Sequence, residues 1–289
     1  MCAATWLAGT CGSAREPAAY PRVLMAASGI PVCMTIAGSD SGGGAGVQAD
    51  LKAFARAGTH GTSVITAITA QNTIAVTAVE AVSPAMIGAQ ARAILDDIHV
   101  DAVKVGMLGT RATVEAVADV LDLILPGTPV VVDPVMVAES GGRLLESDAE
   151  AALRELILPR ATVVTPNVSE ARVLARAPDL DGEALARAVH ALGPRAVVVT
   201  GGHREAAVDV VFDGELAYEL AGPRHPDGAA HGSGCTHAAT LAAQLARGAT
   251  LLEAARTARQ VAGDAVRDGL RSVGHGPGPV NVLELPDTR

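Results

Sequence analysis

Short apolar runs rich in β-branched residues recur along the chain from Pro31 onward, bounded by turn-forming or small polar residues. PVCMTIAG (31–38), TSVITAIT (62–69), VDAVKVG (100–106), TPVVVDP (128–134), ATVVTP (161–166) and RAVVVTGG (195–202) have the length and apolar character of buried strands. Between most of them, over 45–57, 84–97, 111–125, 149–158, 169–176 and 182–192, apolar positions recur at helical spacing. Strand, helix, strand, repeated, predicts a parallel sheet covered by helices on both faces. Residues 207–220 break the pattern, because two strand-like runs flank Asp213-Gly214, a hairpin signal that predicts an antiparallel edge. Helices over about 234–247 and 250–270 follow, and GPVNVLEL (278–285) reads as a closing strand or tail. With no Ser/Pro-rich linker and no internal repeat, 32–289 reads as one domain. Residues 1–31 lack clear periodicity and read as a loose extension, with Met25 and Met34 as later starts.

Composition narrows the function. Hydrophobic residues are 49 % of the 289, enough for a continuous core, while aromatics are 2 %. A net charge of −9 argues against sequence-independent nucleic-acid binding, which needs clustered Lys and Arg. It leaves nucleotide binding open, since a nest of backbone N–H groups and Mg²⁺ handle phosphates locally. Cys2, Cys11, Cys33 and Cys235 form no CxxC pair, which suits a reducing cytoplasm better than a disulfide framework or zinc site. No apolar run approaches the roughly 18 residues of a membrane span, and no signal-peptide pattern opens the chain.

In an open parallel sheet, ligands sit beyond the carboxyl ends of the strands. The notable residues fall there: Gly38 to Gly46, Gln71, Met107, Asp133, Asn167 and Gly201-Gly202. AGSDSGGGAGVQAD (37–50) packs glycines between strand and helix. No acidic residue ends a second strand, so a dinucleotide site is not supported. Asp50 lies inside the following helix, where a solvated face or a dipole partner is the plain reading. In TAQNT (69–73), Gln71 has the donor and acceptor to read an amino-substituted ring edge, or to cap a loop. In TPNVSE (165–170), Asn167 and Glu170 share a helix face; they suit water-held Mg²⁺, or a cap with Glu170 three residues in. Asp133, at a strand end, is a candidate to orient metal or water. AAHGSGCTHAAT (229–240) is a glycine-rich turn opening into a helix, an arrangement suited to phosphate. Cys235 stands there in the first helical turn.

TIAGSDSGGGAGVQADLKAF, ITAQNT, KVGML, DPVMVAESG, TPNVSEA, VTGGH and HGSGCT occur in one order along the chain. Together they resemble the hydroxymethylpyrimidine/phosphomethylpyrimidine kinases of thiamine biosynthesis, within the ribokinase-like superfamily, over residues 32–289. The resemblance implies a three-layer α/β/α domain with a mainly parallel sheet and ATP-dependent phosphorylation of the pyrimidine alcohol, first to the monophosphate and then to the diphosphate. It implies ATP and Mg²⁺, a small-molecule pyrimidine, a cytoplasmic homodimer, and neither nucleic acid nor membrane as partner. On it, Asp50 and Gln71 contact the pyrimidine, with Gly38, Thr69, Met107 and Val135 as pocket walls. Asn167, Glu170, Thr200, Gly202 and Ser233 attend the nucleotide, and Glu170 with Asp133 the metal. Gly232, Gly234 and Cys235 form the catalytic anion hole, with Cys235 where sugar kinases have an Asp base. Many relatives carry Lys at the positions of Glu139 and Thr200, which leaves Arg143 or Mg²⁺ to neutralise phosphate here. The competing readings are a pyridoxal-type kinase of the same superfamily and a non-catalytic vitamin-precursor binding protein.

Overall fold

The buried β-branched runs become the middle of one nine-stranded sheet in a computed structural model, which describes residues 29–137, 144–201, 207–226 and 228–286. The strands are β1 (Val32–Ser39), β2 (His60–Gln71), β3 (Val76–Ala81), β4 (Ala102–Val105), β5 (Val130–Val132), β6 (Val163–Val164), β7 (Ala196–Val199), β8 (Val208–Phe212) and β9 (Ala217–Ala221), in the order β3-β2-β1-β4-β5-β6-β7-β8-β9. From β2 to β7 neighbouring strands run parallel, whereas β3 pairs antiparallel with β2 and β8 antiparallel with β7 and β9. The Asp213-Gly214 turn joins β8 to β9 as the sequence predicts. Gly214 takes a φ of +104° and the Asp213 carboxylate accepts from the N–H groups of Glu215 and Leu216.

Eight helices among the described residues cover the sheet: α1 (Gly46–Arg56), α2 (Pro84–Leu95), α3 (Arg111–Leu121), α4 (Ser147–Ala152), α5 (Val168–Ala175), α6 (Gly182–His190), α7 (Ser233–Ala246) and α8 (Leu251–Arg267). The period-2 alternation of each strand sends its side chains into two cores. Met34, Val103, Val130 and Val132 meet Ile87, Val114, Leu174 and Leu185 of α2, α3, α5 and α6 on one face. Cys33, Ala102, Val131 and Val163 meet Phe54, Leu241 and Ala258 of α1, α7 and α8 on the other. Buried Ala238, Ala239, Ala242 and Ala243 on α7 and Ala254, Ala255 and Ala258 on α8 let these helices pack closely, which is where much of the alanine content goes. The architecture is the expected three layers.

Three local differences from the sequence pattern have physical causes. Strand β3 carries no apolar alternation because almost all of it is exposed at the sheet edge. Its pairing extends β2, so Gln71 ends a strand instead of following one. The segment read as a helix over 149–158 starts as α4 but widens into a π turn at Leu153–Ile157 and then a 3-10 turn ahead of Ala161. The 278–285 segment forms no strand; Pro279 makes one isolated bridge to His231.

Candidate active site

The loop from β1 to α1 is built around one carboxylate. Asp40 is 2 % exposed; its Oδ1 accepts from Gly42 N at 2.8 Å, and its Oδ2 from Gly44 N at 3.0 Å and Ala45 N at 2.8 Å. Gly46 then enters α1 at φ +57°, and a Cβ there would run into the Gly38 carbonyl. Burial pushes the Asp40 carboxyl up, but hydrogen bonds from His231, Ala45 and Gly42 outweigh it and hold it below its usual range.

This loop is one wall of a cavity of about 840 Å³ at the carboxyl ends of the parallel strands. Gly38, Thr69, Gln71, Met107 and Val135 line one part of it. The Thr69 hydroxyl lies 2.8 Å from Ser39 O and 3.3 Å from Gln71 Oε1, while Ser41 Oγ accepts from Gln71 N at 2.8 Å. Gln71 is thus oriented by both backbone and side chain. Met107 packs closely over Gly38, its Sδ 3.3 Å from where a Cβ would stand at that position.

Asp133, Asn167, Glu170, Thr200 and the turn from Gly232 to Cys235 line the rest. Asn167 caps α5: its Oδ1 accepts from Glu170 N at 2.9 Å, and Glu170 Oε2 accepts from Asn167 N at 2.9 Å. The pair therefore makes the reciprocal cap and also faces the cavity. Thr200 bridges to Asn167 beside them. At α7, Gly232 is the N-cap at φ +87° and offers no side-chain cap, and the N–H groups of Gly234 and Cys235 donate to nothing among the described residues. Unfilled donors at a positive helix end suit an anion. Gly202, Glu139 and Arg143 lie outside the described residues.

Asp50 does not sit where the sequence reading put it. It is fully buried rather than solvated, and it lies behind the cavity lining rather than in it. Its Oδ2 accepts from Thr35 Oγ1 at 2.6 Å and from Lys104 Nζ at 3.0 Å. Lys104, overlooked in the sequence, is the group that reaches the cavity, with Nζ 3.9 Å from Asp133 Oδ2. Burial favours its neutral form, but the carboxylates of Asp50 and Asp133 keep it charged, above the usual lysine range. The signal was present: a lysine inside an apolar strand, where unpaired charge is almost never found. Asp40 and His231 were also overlooked, as was a group on the cavity lining in which His237 of α7 lies 3.7 Å from Asp209, itself paired with Arg259.

Cys235 lines the same cavity, close enough to Lys104 and Asp133 for both to act on its thiol. Burial pushes the thiol up to about 12; Lys104 and the Gly46 N–H pull it down, and Asp50 and Asp133 add to the rise. The resting group is a neutral thiol. Asp133 is pushed up to about 6, by burial first and by Asp50, with Lys104 opposing. Its Oδ2 is buried and has no hydrogen-bond partner among the described residues.

Known proteins resemble this chain over most of its length. A hydroxymethylpyrimidine/phosphomethylpyrimidine kinase of Rhizobium meliloti (strain 1021) is 48 % identical over 257 residues, 86 % of this chain and 96 % of the relative. The structure of a Bacillus subtilis pyridoxal kinase in complex with ADP matches with a TM-score of 0.78 at 37 % identity, over 87 % of this chain and 97 % of that one. A phosphomethylpyrimidine kinase from Clostridium difficile matches with a TM-score of 0.70 at 35 % identity, over 80 % and 96 %. The family model for phosphomethylpyrimidine kinase covers residues 40–281, from the aspartate that organises the first loop to the segment beyond α8, and the chain belongs to that family.

Proposed function

We propose that this protein transfers the γ-phosphoryl group of ATP to the hydroxymethyl group of hydroxymethylpyrimidine, and then a second to the monophosphate, in thiamine diphosphate biosynthesis. The observation that carries this reading is one cavity lined both by Gln71, Met107 and Val135 and by the uncapped N-terminus of α7, with Cys235 in that first turn. Gln71 reads the aminopyrimidine edge with its amide. Asn167, Thr200 and Ser233 attend the nucleotide, and the N–H groups of Gly234 and Cys235 receive the transferred phosphoryl oxygens. Lys104 supplies a fixed positive charge behind the thiol. A neutral thiol at Cys235 orients the substrate hydroxyl; transfer through a loose transition state gains mainly from such positioning and electrostatics. On the same reading the enzyme is a cytoplasmic homodimer, expectations that rest on the resemblance; no helix among the described residues is long and apolar enough to cross a membrane.

The donor set fits Mg²⁺ carried in with the nucleotide. Glu170 and Asp133 line the cavity, and Asp133 Oδ2, 3.9 Å from Lys104 Nζ, is a hard donor suited to that ion or its waters. When bound, the ion neutralises phosphate charge.

The likeness to pyridoxal kinases supports a second alcohol, pyridoxine or pyridoxal, as a competing substrate. A coupled ATP assay with each alcohol, followed by mass analysis of the products, tests both. The expected result is a larger kcat/KM for the pyrimidine, with mono- and diphosphate formed in succession. Preference for the pyridine alcohol would replace the primary reading, and ATP turnover with neither would leave a binding protein.

A further inference from the structure

We propose that the hydrogen bond between His231 and Asp40 is a lock that holds the phosphate-binding turn of α7 against the glycine-rich loop after β1, and that it sets the alignment of Cys235 for transfer. The proposal rests on the functional reading above in giving that alignment a catalytic meaning.

His231 Nε2 lies 2.9 Å from Asp40 Oδ2, across 191 residues of sequence. Both side chains are largely buried, at 12 % and 2 % exposure. Asp40 is anchored on its own side by the N–H groups of Gly42, Gly44 and Ala45. His231 is anchored on the other by its carbonyl, which accepts from Val280 N at 3.1 Å. Around this bond the two segments meet backbone to backbone. A Cβ on Gly232 would run into the Gly44 carbonyl, and one on Gly44 would run into the imidazole of His231. Gly232, three residues before Cys235, also comes against Ala45, whose Cα would lie 3.4 Å from a Cβ at Gly232. The loop therefore sets the start of the turn that carries Cys235.

His231 precedes the N-cap Gly232, so an error in its position moves the whole first turn of α7. Both halves of the cavity would persist without it, but their registration would not. Displacement of reacting groups by about 1 Å costs on the order of 10²-fold in rate. On this proposal His231 is a positioning residue: it lines the cavity as Asp40 does, and its part is to hold the α7 turn in register.

The test uses the full chain with His231→Ala and His231→Gln, the latter because its amide N–H reaches about as far as Nε2. Two readouts are needed: kcat against KM for ATP and the alcohol, and the rate at which iodoacetamide alkylates Cys235, followed by peptide mass analysis with Cys33 as the buried control. In His231→Ala, kcat is expected to fall by about 10²-fold with both KM values little changed, and Cys235 alkylation to accelerate several-fold while Cys33 stays protected. His231→Gln should recover most of both. Should His231→Ala fail to fold, Asp40→Asn reads the lock from the other side and should likewise expose Cys235. An unchanged kcat or alkylation rate in a folded His231→Ala, or a Gln variant as impaired as the Ala one, overturns the proposal. Wild-type inactivity toward both alcohols would instead overturn the functional reading, and the alkylation rates would still decide whether the lock exists.

Discussion

Lys104 and Asp50 form an ion pair in which neither side chain is exposed, with Nζ 2.9 Å from Oδ1 and 3.0 Å from Oδ2. It joins the middle of the sheet to α1 directly behind the substrate cavity. Two charges are costly to bury, so their retention here points to a use: Asp50 keeps Lys104 charged, and Lys104 carries that charge to the cavity wall beside Asp133 and Cys235.

Removing one partner should hurt more than removing both. Lys104→Met leaves the Asp50 carboxylate buried and uncompensated, and a loss of roughly 3–5 kcal/mol in urea unfolding is expected. Adding Asp50→Asn to it should recover much of that stability without recovering activity. If the double variant regains activity as well, the charge on Lys104 has no part in transfer.

Gln71→Leu keeps the size of the side chain near Thr69 and Ser41 but removes its donor and acceptor. A site built to hydrogen-bond a ring loses strongly when that bond cannot form. The kcat/KM for hydroxymethylpyrimidine should fall by orders of magnitude more than the affinity for ADP, measured by calorimetry, changes. Equal losses in both would make Gln71 a structural end to β2 and nothing more.

The sequence was most readable where burial acts on both faces of an element. Runs such as TPVVVDP and RAVVVTGG declare themselves because a central parallel strand has no solvent side, and the sites at their carboxyl ends follow from the topology. Strand β3 was not readable for the opposite reason: an exposed edge strand needs no apolar pattern, and it is held by pairing with β2. Asp50 was misplaced although the cue was there. It lies three residues after Val47 and four before Phe54, on the buried face of α1, where a carboxylate demands a partner. That partner is 54 residues away, and the Asp40–His231 contact spans 191, so neither pairing leaves a local trace. The pattern also could not show that the Cys235 thiol is held neutral, since the helix end alone argues for the thiolate, while burial first and then the acidic neighbours argue against it.

Stability should fall on mild acidification through His237. Burial holds its imidazole below the usual histidine range; Asp209 opposes this and Arg259 adds to it. Above about pH 6.5 both folded and unfolded chains keep this group neutral. As the pH drops below that value, the unfolded chain takes up a proton that the folded chain does not, so the contribution of His237 is lost toward its lower folded pKa. The melting temperature of wild type should therefore decline from about pH 6.5 downward, and His237→Gln should flatten that decline. An identical pH dependence in the variant would assign it to other groups.

Cys235 decides between two ways of handling the substrate hydroxyl. As a general base it would have to act as thiolate, and with the thiol pushed up to about 12 the thiolate fraction rises about tenfold for each pH unit through the neutral range. Were proton removal by that thiolate limiting, kcat would rise with the same slope from pH 7 to 9. As a neutral orienting group it gives a kcat that is flat over that range. The substitutions separate the two readings again. Serine keeps a small donor and acceptor at the same place, whereas alanine keeps only the volume. Orientation predicts that Cys235→Ser retains most of kcat and that Cys235→Ala loses about 10²-fold, with ADP affinity unchanged in both because the Gly234 and residue-235 N–H groups remain. Loss of about 10²–10⁴-fold in both variants, together with a rising alkaline limb in wild type that disappears in them, would return the thiolate to the role of base. A normal kcat in Cys235→Ala would leave the N-terminus of α7, Lys104 and the nucleotide's own metal as the whole of the catalytic apparatus.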